Sequence, residues 1–191
     1  MLLFSPPSDS QLERFLARAR ESYFTYSEVG ATAGLIPPLY NTDHNRVLIG
    51  KGEAVFHRAA LAIRDWKMFD LDWVRVYPTS TQIRIGENVA VVARWLNLYF
   101  VNACRIVDTI DEHVPSQRYG FAYGTLDDHA ECGEERFTVQ WNRENDEVWY
   151  DLLAFSRPNQ FLARIGYPFA RQLQKRFAAD SKAAMVRAVN E

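Results

Sequence analysis

The spacing of apolar residues changes from strand-like to helical after Phe155, and this change sets the fold class. Between residues 73 and 155, short β-branched and aromatic runs alternate with polar turns, which predicts six antiparallel strands. Apolar residues then recur at helical spacing as far as Val189, which predicts one long helix. A strand at 46–50 and a helix at 53–64 precede this region. We therefore predict an α+β domain, with a curved antiparallel sheet of about seven strands around the C-terminal helix.

The chain has the length of a single domain with an N-terminal extension. Its 191 residues, 48% of them apolar, can bury a core without disulfides or metal ions. A helix capped by Asp9 or Ser10, followed by a stretch broken by prolines at 37 and 38, predicts that residues 1–45 pack on the body as an extension. Residues 46–191 then form the main domain.

The C-terminal helix is predicted to begin at 156–158 and to break at 166–167. A proline inside a helix removes one backbone hydrogen bond, so we expect the helix to restart with Pro168 in its first turn. Leu173 and Phe177 continue the apolar stripe, which must cover one face of the sheet.

The predicted strand at 119–126 has one bulky face and one nearly bare face. Large side chains alternate with small ones: Tyr119, Phe121 and Tyr123 against Gly120, Ala122 and Gly124. Something bulky must approach the bare face closely, either another element of the chain or a ligand. Beside strands this rich in aromatic residues, the bare face favours a bound ligand.

Composition and charge argue against several classes of partner. A net charge of −2 offers no basic face for nucleic acid, and no apolar run approaches the ~20 residues of a membrane-spanning helix. Cys104 and Cys132 do not have the number or spacing of a disulfide framework, a redox dithiol or a zinc site. The N-terminus does not have the pattern of a signal peptide. We expect a cytoplasmic protein without a nucleic-acid partner, an integral membrane segment or a cofactor.

The densest polar cluster, residues 127–135, joins two predicted strands. His129, Glu131 and Cys132 are competent metal ligands, and a histidine can carry protons near neutral pH. The same residues also suit a solvated hairpin loop. Because no second histidine lies at ligand spacing, we predict no metal site.

Glu134 and Glu135 open a predicted strand and point to opposite faces, so one of them should face the concave side of the sheet. A carboxylate there is costly unless it is paired, and Arg157, Arg105 or Arg136 could pair with it. Such a pair could be purely structural, could anchor a ligand head group, or could do both.

The order of the elements resembles the helix-grip fold of the START lipid-transfer domains, the birch-pollen-allergen-like proteins and the aromatase/cyclase-like proteins. More specifically, motifs across residues 26–185 are similar to those of uncharacterised protein family 0548. They are VGAT (29–32), RVLIGKG (46–52), GFAYGTL (120–126), GEERFTV (133–139) and VWYDLLAFSRP (148–158). That family has no established activity. The resemblance therefore implies a fold, with a cavity as an expectation from the wider superfamily, and assigns no catalytic residue.

The leading interpretation is a non-enzymatic protein that binds a small apolar or lipid-like ligand between the sheet and the C-terminal helix. Tyrosine rings that orient a ligand could equally be plain core. The expected ligand-binding residues are Tyr119, Phe121, Tyr123, Glu135, Phe137, Tyr150, Arg157, Phe169 and Leu173.

Two alternatives remain open. An enzyme of the cyclase or hydrolase type would use Glu134 or Glu135, a tyrosine and His129 as acid–base groups around the same cavity, and it predicts an inward carboxylate with a perturbed pKa. A protein-interaction module would instead have a compact core and an exposed apolar patch.

Overall fold

The computed structural model describes residues 1–114, 116–127, 129–159 and 167–190, with side chains described from 170 onwards in the last range. Eight antiparallel strands form one sheet in this part of the chain. They are β1 Leu2–Leu3, β2 Asn41–Lys51, β3 Val74–Tyr77, β4 Asn88–Trp95, β5 Leu98–Glu112, β6 Gln117–Thr125, β7 Glu131–Trp141 and β8 Glu147–Pro158. The helices are α1 Asp9–Ala19, α2 Glu53–Arg64 and α3 Tyr167–Asn190, and 3-10 turns lie at Ala31–Ala33 and Lys67–Phe69.

The strand order is β2-β8-β7-β6-β5-β4-β3, and the short β1 pairs with β5. Register shifts interrupt β2 between Leu48 and Gly50 and β5 between Ile106 and Asp108. Bulges of this kind bend a strand and increase its twist. We call the face of the sheet that α2 and α3 cover the inner face. The predicted fold class is confirmed: a curved antiparallel sheet holds a long C-terminal helix, the helix-grip arrangement.

The main core fills the space between the inner face, α2 and α3. Cross-strand partners Phe121 and Phe137 stack with ring centroids 5.3 Å apart, and Trp66 packs 4.7 Å from Phe121. Burying each such ring contributes about 2–3 kcal/mol. The Tyr150 and Ser181 hydroxyls share a buried 2.8 Å hydrogen bond that joins β8 to α3.

Helix α1 packs on the outer face of the sheet rather than on the inner one. Its buried stripe meets outward-facing residues of β4 and β5 (Leu12, Phe15 and Ala19 against Ala90, Val92, Val101 and Ala103). The predicted cap, Asp9 or Ser10, is wrong, because Ser8 accepts the hydrogen bond from the Gln11 amide and completes a capping box.

Strand pairing extends two elements beyond their predicted boundaries. Strand β2 begins at Asn41, and β8 continues to Pro158 because Glu131 and Cys132 of β7 pair with its last two residues. The predicted helix start at 156–158 is therefore wrong. The predicted break at 166–167 involves Gly166, which lies outside the described residues, and Pro168 occupies the second position of α3. No helix in the described part of the chain has both the length and the apolar character needed to cross a bilayer.

Candidate functional site

The two faces of β6 have different neighbours. Tyr119, Phe121 and Tyr123 face the helices, whereas the bare face turns outward, where Tyr26 of the N-terminal extension covers it at Gly124. A Cβ added to Gly124 would lie 2.0 Å from the Tyr26 hydroxyl oxygen. The expectation that the bare face accommodates a ligand is therefore wrong, because a tyrosine from another element of the chain occupies that space at Gly124.

Glu134 points to the same outer side and is buried beneath the N-terminal extension. Its carboxylate accepts hydrogen bonds from the Tyr26 hydroxyl at 2.8 Å, the Gly30 amide at 2.7 Å and the Thr32 amide at 3.0 Å, and it also accepts one from the Thr32 hydroxyl. Four donors satisfy a buried carboxylate without a cation. Glu134 therefore fixes the N-terminal extension to β7 and does not face the helices.

A cavity of about 550 Å³ lies between the inner face and α3, and it has a polar side and an apolar side. The polar side belongs to strands near the β2 edge and to the start of α3: Asp43, Tyr123, Glu131, Glu135, Ser156 and Gln174. The apolar side belongs to β3, β4, the second 3-10 turn and the next turns of α3: Phe69, Trp73, Val74, Val91, Ala93, Leu173, Phe177 and Ala178. Such an amphipathic lining can both hold and orient a small molecule.

Of the two adjacent glutamates at the start of β7, Glu135 is the one whose carboxyl group faces this cavity. Its pKa is raised to about 7, mainly by burial and to a smaller extent by the nearby charges of Glu131 and Asp43, while the hydrogen bond from Tyr123 opposes the rise. The Tyr123 hydroxyl donates to Glu135 Oε2 at 2.7 Å. Burial and the adjacent carboxylate also raise the pKa of Tyr123, so the phenol keeps its proton and acts as the donor.

The first turns of α3 are tied to the polar side of the cavity. Arg171 makes a two-pronged ion pair with Asp43, in which Nη2 donates to Oδ1 at 2.7 Å. The Gln174 amide donates to Glu131 and, at 3.1 Å, to Ser156 Oγ. Burial raises the pKa of Glu131 against these hydrogen bonds and against the charge of Arg171. These contacts join α3 to β2, β7 and β8.

The predicted ligand-binding residues separate into four groups. Tyr123, Glu135 and Leu173 line the cavity. Phe121, Phe137 and Tyr150 are fully buried in the core, and Tyr119 packs against that core. Arg157 is directed elsewhere, with its guanidinium 4.8 Å from the centroid of the Tyr40 ring. The Phe169 side chain lies outside the described residues.

None of the three arginines proposed as partners pairs with Glu134 or Glu135 in the described part of the chain. Arg105 donates to Asn88 and to carbonyls at the end of α1, and Arg136 donates to the Thr32 carbonyl. The prediction of an ion pair at the cavity is therefore wrong for these residues. Asp43, Gln174 and the apolar side other than Leu173 were not among the predicted site residues. Leu173, Phe177 and Ala178 follow helical spacing, so that stripe offered a signal.

The polar cluster at 127–135 is only partly a loop, because β7 already begins at Glu131. His129 Nδ1 accepts the Glu131 amide at 3.0 Å, and burial lowers the pKa of His129 to about 4. Cys132 packs on the outer side with Tyr26, Tyr40 and Phe155. Within the described ranges, no three His, Cys, Asp or Glu side chains converge on a metal position.

Comparison with known proteins gives the family. The model of a domain of unknown function, DUF1990, matches residues 25–184. A UPF0548 protein of Dictyostelium discoideum is 35% identical over 99% of this chain and 96% of its own length. A UPF0548 protein of Deinococcus radiodurans is 35% identical over 98% of each chain.

A solved structure supports the fold alone. The hypothetical protein jhp0584 from Helicobacter pylori superposes with a TM-score of 0.52 at 10% identity, covering 77% of this chain and 86% of that one. The similarity to the two relatives extends over nearly the whole chain, and the family model includes every strand of the sheet except β1. The chain therefore belongs to the UPF0548 family, the family described by the domain DUF1990.

Proposed function

We propose that the protein binds a small apolar molecule between the sheet and α3 and that the Glu135–Tyr123 pair sets the orientation of that molecule. The observation that carries this proposal is the cavity of about 550 Å³ with a hydrogen-bonded carboxyl on one side and aromatic rings on the other. Its volume lies in the range typical of pockets for small ligands.

Energetics favour an occupied cavity over a vestigial one. The cavity is partly open, so its apolar side is in contact with water when no ligand is bound, and covering that side with an apolar molecule is favourable. A buried carboxyl beside that space adds a desolvation cost, which is reflected in the raised pKa of Glu135. An occupant that fills the apolar side and hydrogen-bonds to Glu135 offsets both costs. These arguments weigh against the interaction module, which requires a compact core.

A fluorescent apolar probe tests the proposal directly. N-phenyl-1-naphthylamine, which is neutral at pH 7, should bind the protein with an increase in fluorescence. Ala93→Phe places a ring inside the cavity and should weaken binding about tenfold or more. Ala179→Phe, on the exposed side of α3, is the matched control and should bind like the wild type. Absence of probe binding, or equal binding by both variants, would contradict the proposal.

The natural occupant can be sought without prior assumptions about its identity. Native mass spectrometry of protein purified from its own host should detect the wild type with an additional mass in the range of a small molecule. The Ala93→Phe variant should carry less of that mass, whereas Ala179→Phe should carry as much as the wild type. An additional mass retained equally by Ala93→Phe would place the bound molecule outside the cavity.

A second candidate function is acid–base catalysis in the same cavity. The specific observation is a carboxyl with a pKa of about 7, because a general base works best when its pKa lies near the working pH. Glu135 would remove a proton from carbon beside a carbonyl group, and Tyr123 would support the carboxylate through its 2.7 Å hydrogen bond.

Hydrogen–deuterium exchange of 2-tetralone measures this chemistry. In deuterated buffer the wild type should accelerate exchange of the protons next to the ketone, as followed by proton NMR, and Glu135→Gln should lose the acceleration. The exposed replacement Glu144→Gln is the control. Exchange at the rate of buffer alone for the wild type would exclude Glu135 as a base toward this ketone.

A cytoplasmic location also remains part of the proposal. Cys104 and Cys132 are both buried free thiols, which suits a reducing compartment. Fractionation of cells followed by immunodetection of the native protein would place it with the soluble cytoplasmic markers, and recovery with secreted or membrane fractions would overturn this assignment.

A further inference from the structure

The charges around the cavity do not balance on its polar side. Asp43, Glu131 and Glu135 all lie there, whereas Arg171 forms its ion pair with Asp43 and its charge also lowers the pKa of Glu131. Glu135 forms no ion pair with any Lys, Arg or His in the described ranges of the chain. Lys175 also borders the cavity, from an exposed position on α3, and no ion pair joins it to these carboxylates within the same ranges. The cavity is therefore acidic where it is polar.

The histidines near this side do not correct the imbalance. His129 lines the cavity, but burial lowers its pKa to about 4, so it is neutral near pH 7. His44 Nε2 is 2.7 Å from Asp151 Oδ2, and Asp151 also lies 3.2 Å from the Arg46 guanidinium. The positive charge at that edge of β2 is thus directed to Asp151 and not to Glu135.

The apolar side of the cavity has a fixed aromatic surface. The Trp73 indole nitrogen donates to Asp180 at 2.8 Å, and the Arg176 guanidinium lies 4.5 Å from the Trp73 ring centroid. Phe69 and Phe177 stand with ring centroids 5.2 Å apart. Rings held in this way offer a preformed surface to a flat or cyclic hydrocarbon body, at little cost in side-chain entropy.

The chemical class of the ligand follows from these two sides. An anionic head group would be repelled by the excess of carboxylates, and a neutral hydroxyl would gain only a hydrogen bond. A protonated amine would gain a charge-assisted hydrogen bond to Glu135, which is about twice as strong as a neutral one. It would also supply the positive charge that Glu135 does not receive from the described lining residues.

We infer that the ligand is an amine with an aromatic or cyclic apolar body, whose ammonium group pairs with Glu135 and whose body lies against Trp73 and Phe177. This inference rests on the proposed binding function. Beyond that function, it specifies that the ligand is positively charged and that Glu135 is the residue that selects for this charge.

Three probes of one shape but different charge test the inference. They are 1-naphthylmethylamine, 1-naphthalenemethanol and 1-naphthoic acid, with affinities measured by isothermal titration calorimetry at pH 8. The amine should bind the wild type about tenfold or more tighter than the alcohol, and the acid should bind least. In Glu135→Gln the ratio of amine to alcohol affinity should fall to about one, and in the exposed control Glu53→Gln it should stay as in the wild type. Thermal unfolding confirms that both variants are folded.

The outcomes separate this inference from the proposed function. An alcohol or acid that binds as tightly as the amine would overturn the preference for an amine while leaving the cavity as a binding site. A preference for the amine that persists in Glu135→Gln would overturn the role of Glu135. Failure of all three probes to bind would overturn the proposed binding of small apolar molecules, and the inference with it.

Discussion

The hydroxyl oxygen of Tyr26 occupies the space that a side chain at position 124 would need, because a Cβ built on Gly124 would lie 2.0 Å from it. Replacing Gly124 with alanine therefore forces Tyr26 outward. We expect Gly124→Ala to lower the free energy of unfolding by about 1–3 kcal/mol, the usual cost of overpacking. Urea denaturation of the variant and the wild type measures this loss.

A double-mutant cycle provides the control for this pair. With Tyr26→Ala in place, the added methyl group at 124 meets open space, so Gly124→Ala should cost less than about 0.5 kcal/mol in that background. Equal costs of Gly124→Ala with and without Tyr26 would show that the strain comes from some other neighbour.

Glu134 should contribute to stability far more than its neutral amide analogue would. Four donors converge on its carboxylate. A glutamine side chain at this position could accept from fewer of them, and its own amide group would face N–H and O–H donors. We expect Glu134→Gln to lower the free energy of unfolding by about 2–4 kcal/mol. Glu144→Gln, in the exposed turn after β7, should change it by less than about 0.5 kcal/mol.

Amide hydrogen exchange distinguishes a local effect of this substitution from a global one. The Gly30 and Thr32 amides donate directly to Glu134, so both should exchange faster in Glu134→Gln under native conditions. Unchanged protection of these two amides would mean that the N-terminal extension is held by other contacts.

Local patterns were sufficient to predict most of the helices and strands, although not all of their ends. The helix predicted at 53–64 forms residue for residue, because Gly52 interrupts the strand and the apolar spacing changes to a helical period within a few residues. The opposite directions of Glu134 and Glu135 also follow from strand alternation, which depends on no distant residue.

Contacts between distant segments determine the features that local sequence patterns could not predict. Residues 41–45 are too polar to predict a strand, yet they pair with 152–156 of β8 and so bring Asp43 to the cavity. Likewise, nothing local to 119–126 tells which face of β6 the helices cover. Tyr26, about a hundred residues away, occupies the space beside Gly124 on the bare face. The candidate site was therefore predicted in outline, with Tyr123, Glu135 and Leu173, but without Asp43 and Gln174.

Glu135 makes stability depend on pH in a direction opposite to that of most carboxylates. Its pKa is about 7 in the folded protein, against 4.5 without burial, so the folded state holds this proton more tightly than the unfolded state. Between pH 4.5 and 7 unfolding releases the proton, and the free energy of unfolding falls as pH rises. The loss attributable to Glu135 should reach about 3 kcal/mol by about pH 8.

Glu135→Gln isolates this contribution, because glutamine stays neutral at every pH. The variant should match the wild type within about 1 kcal/mol at about pH 4.5 and should become the more stable of the two as pH rises to about 8. Guanidinium denaturation at half-unit pH intervals measures the difference, and Glu53→Gln serves as the exposed control. A difference that stays constant over this pH range would contradict the raised pKa of Glu135.

Loss of one partner of the hydrogen bond between Tyr150 and Ser181 should lower the free energy of unfolding more than loss of both. Both side chains are fully buried, and their hydroxyl oxygens lie 2.8 Å apart. Tyr150→Phe leaves the Ser181 hydroxyl without its β8 partner, so it should cost about 1–3 kcal/mol, and Ser181→Ala should cost a similar amount by stranding the phenol. The double variant leaves neither hydroxyl without a partner, so its free energy of unfolding should be no lower than that of the less stable single variant. Strict additivity of the two costs in urea denaturation would instead indicate that each hydroxyl finds another partner, such as the carbonyl one turn earlier in α3 for Ser181.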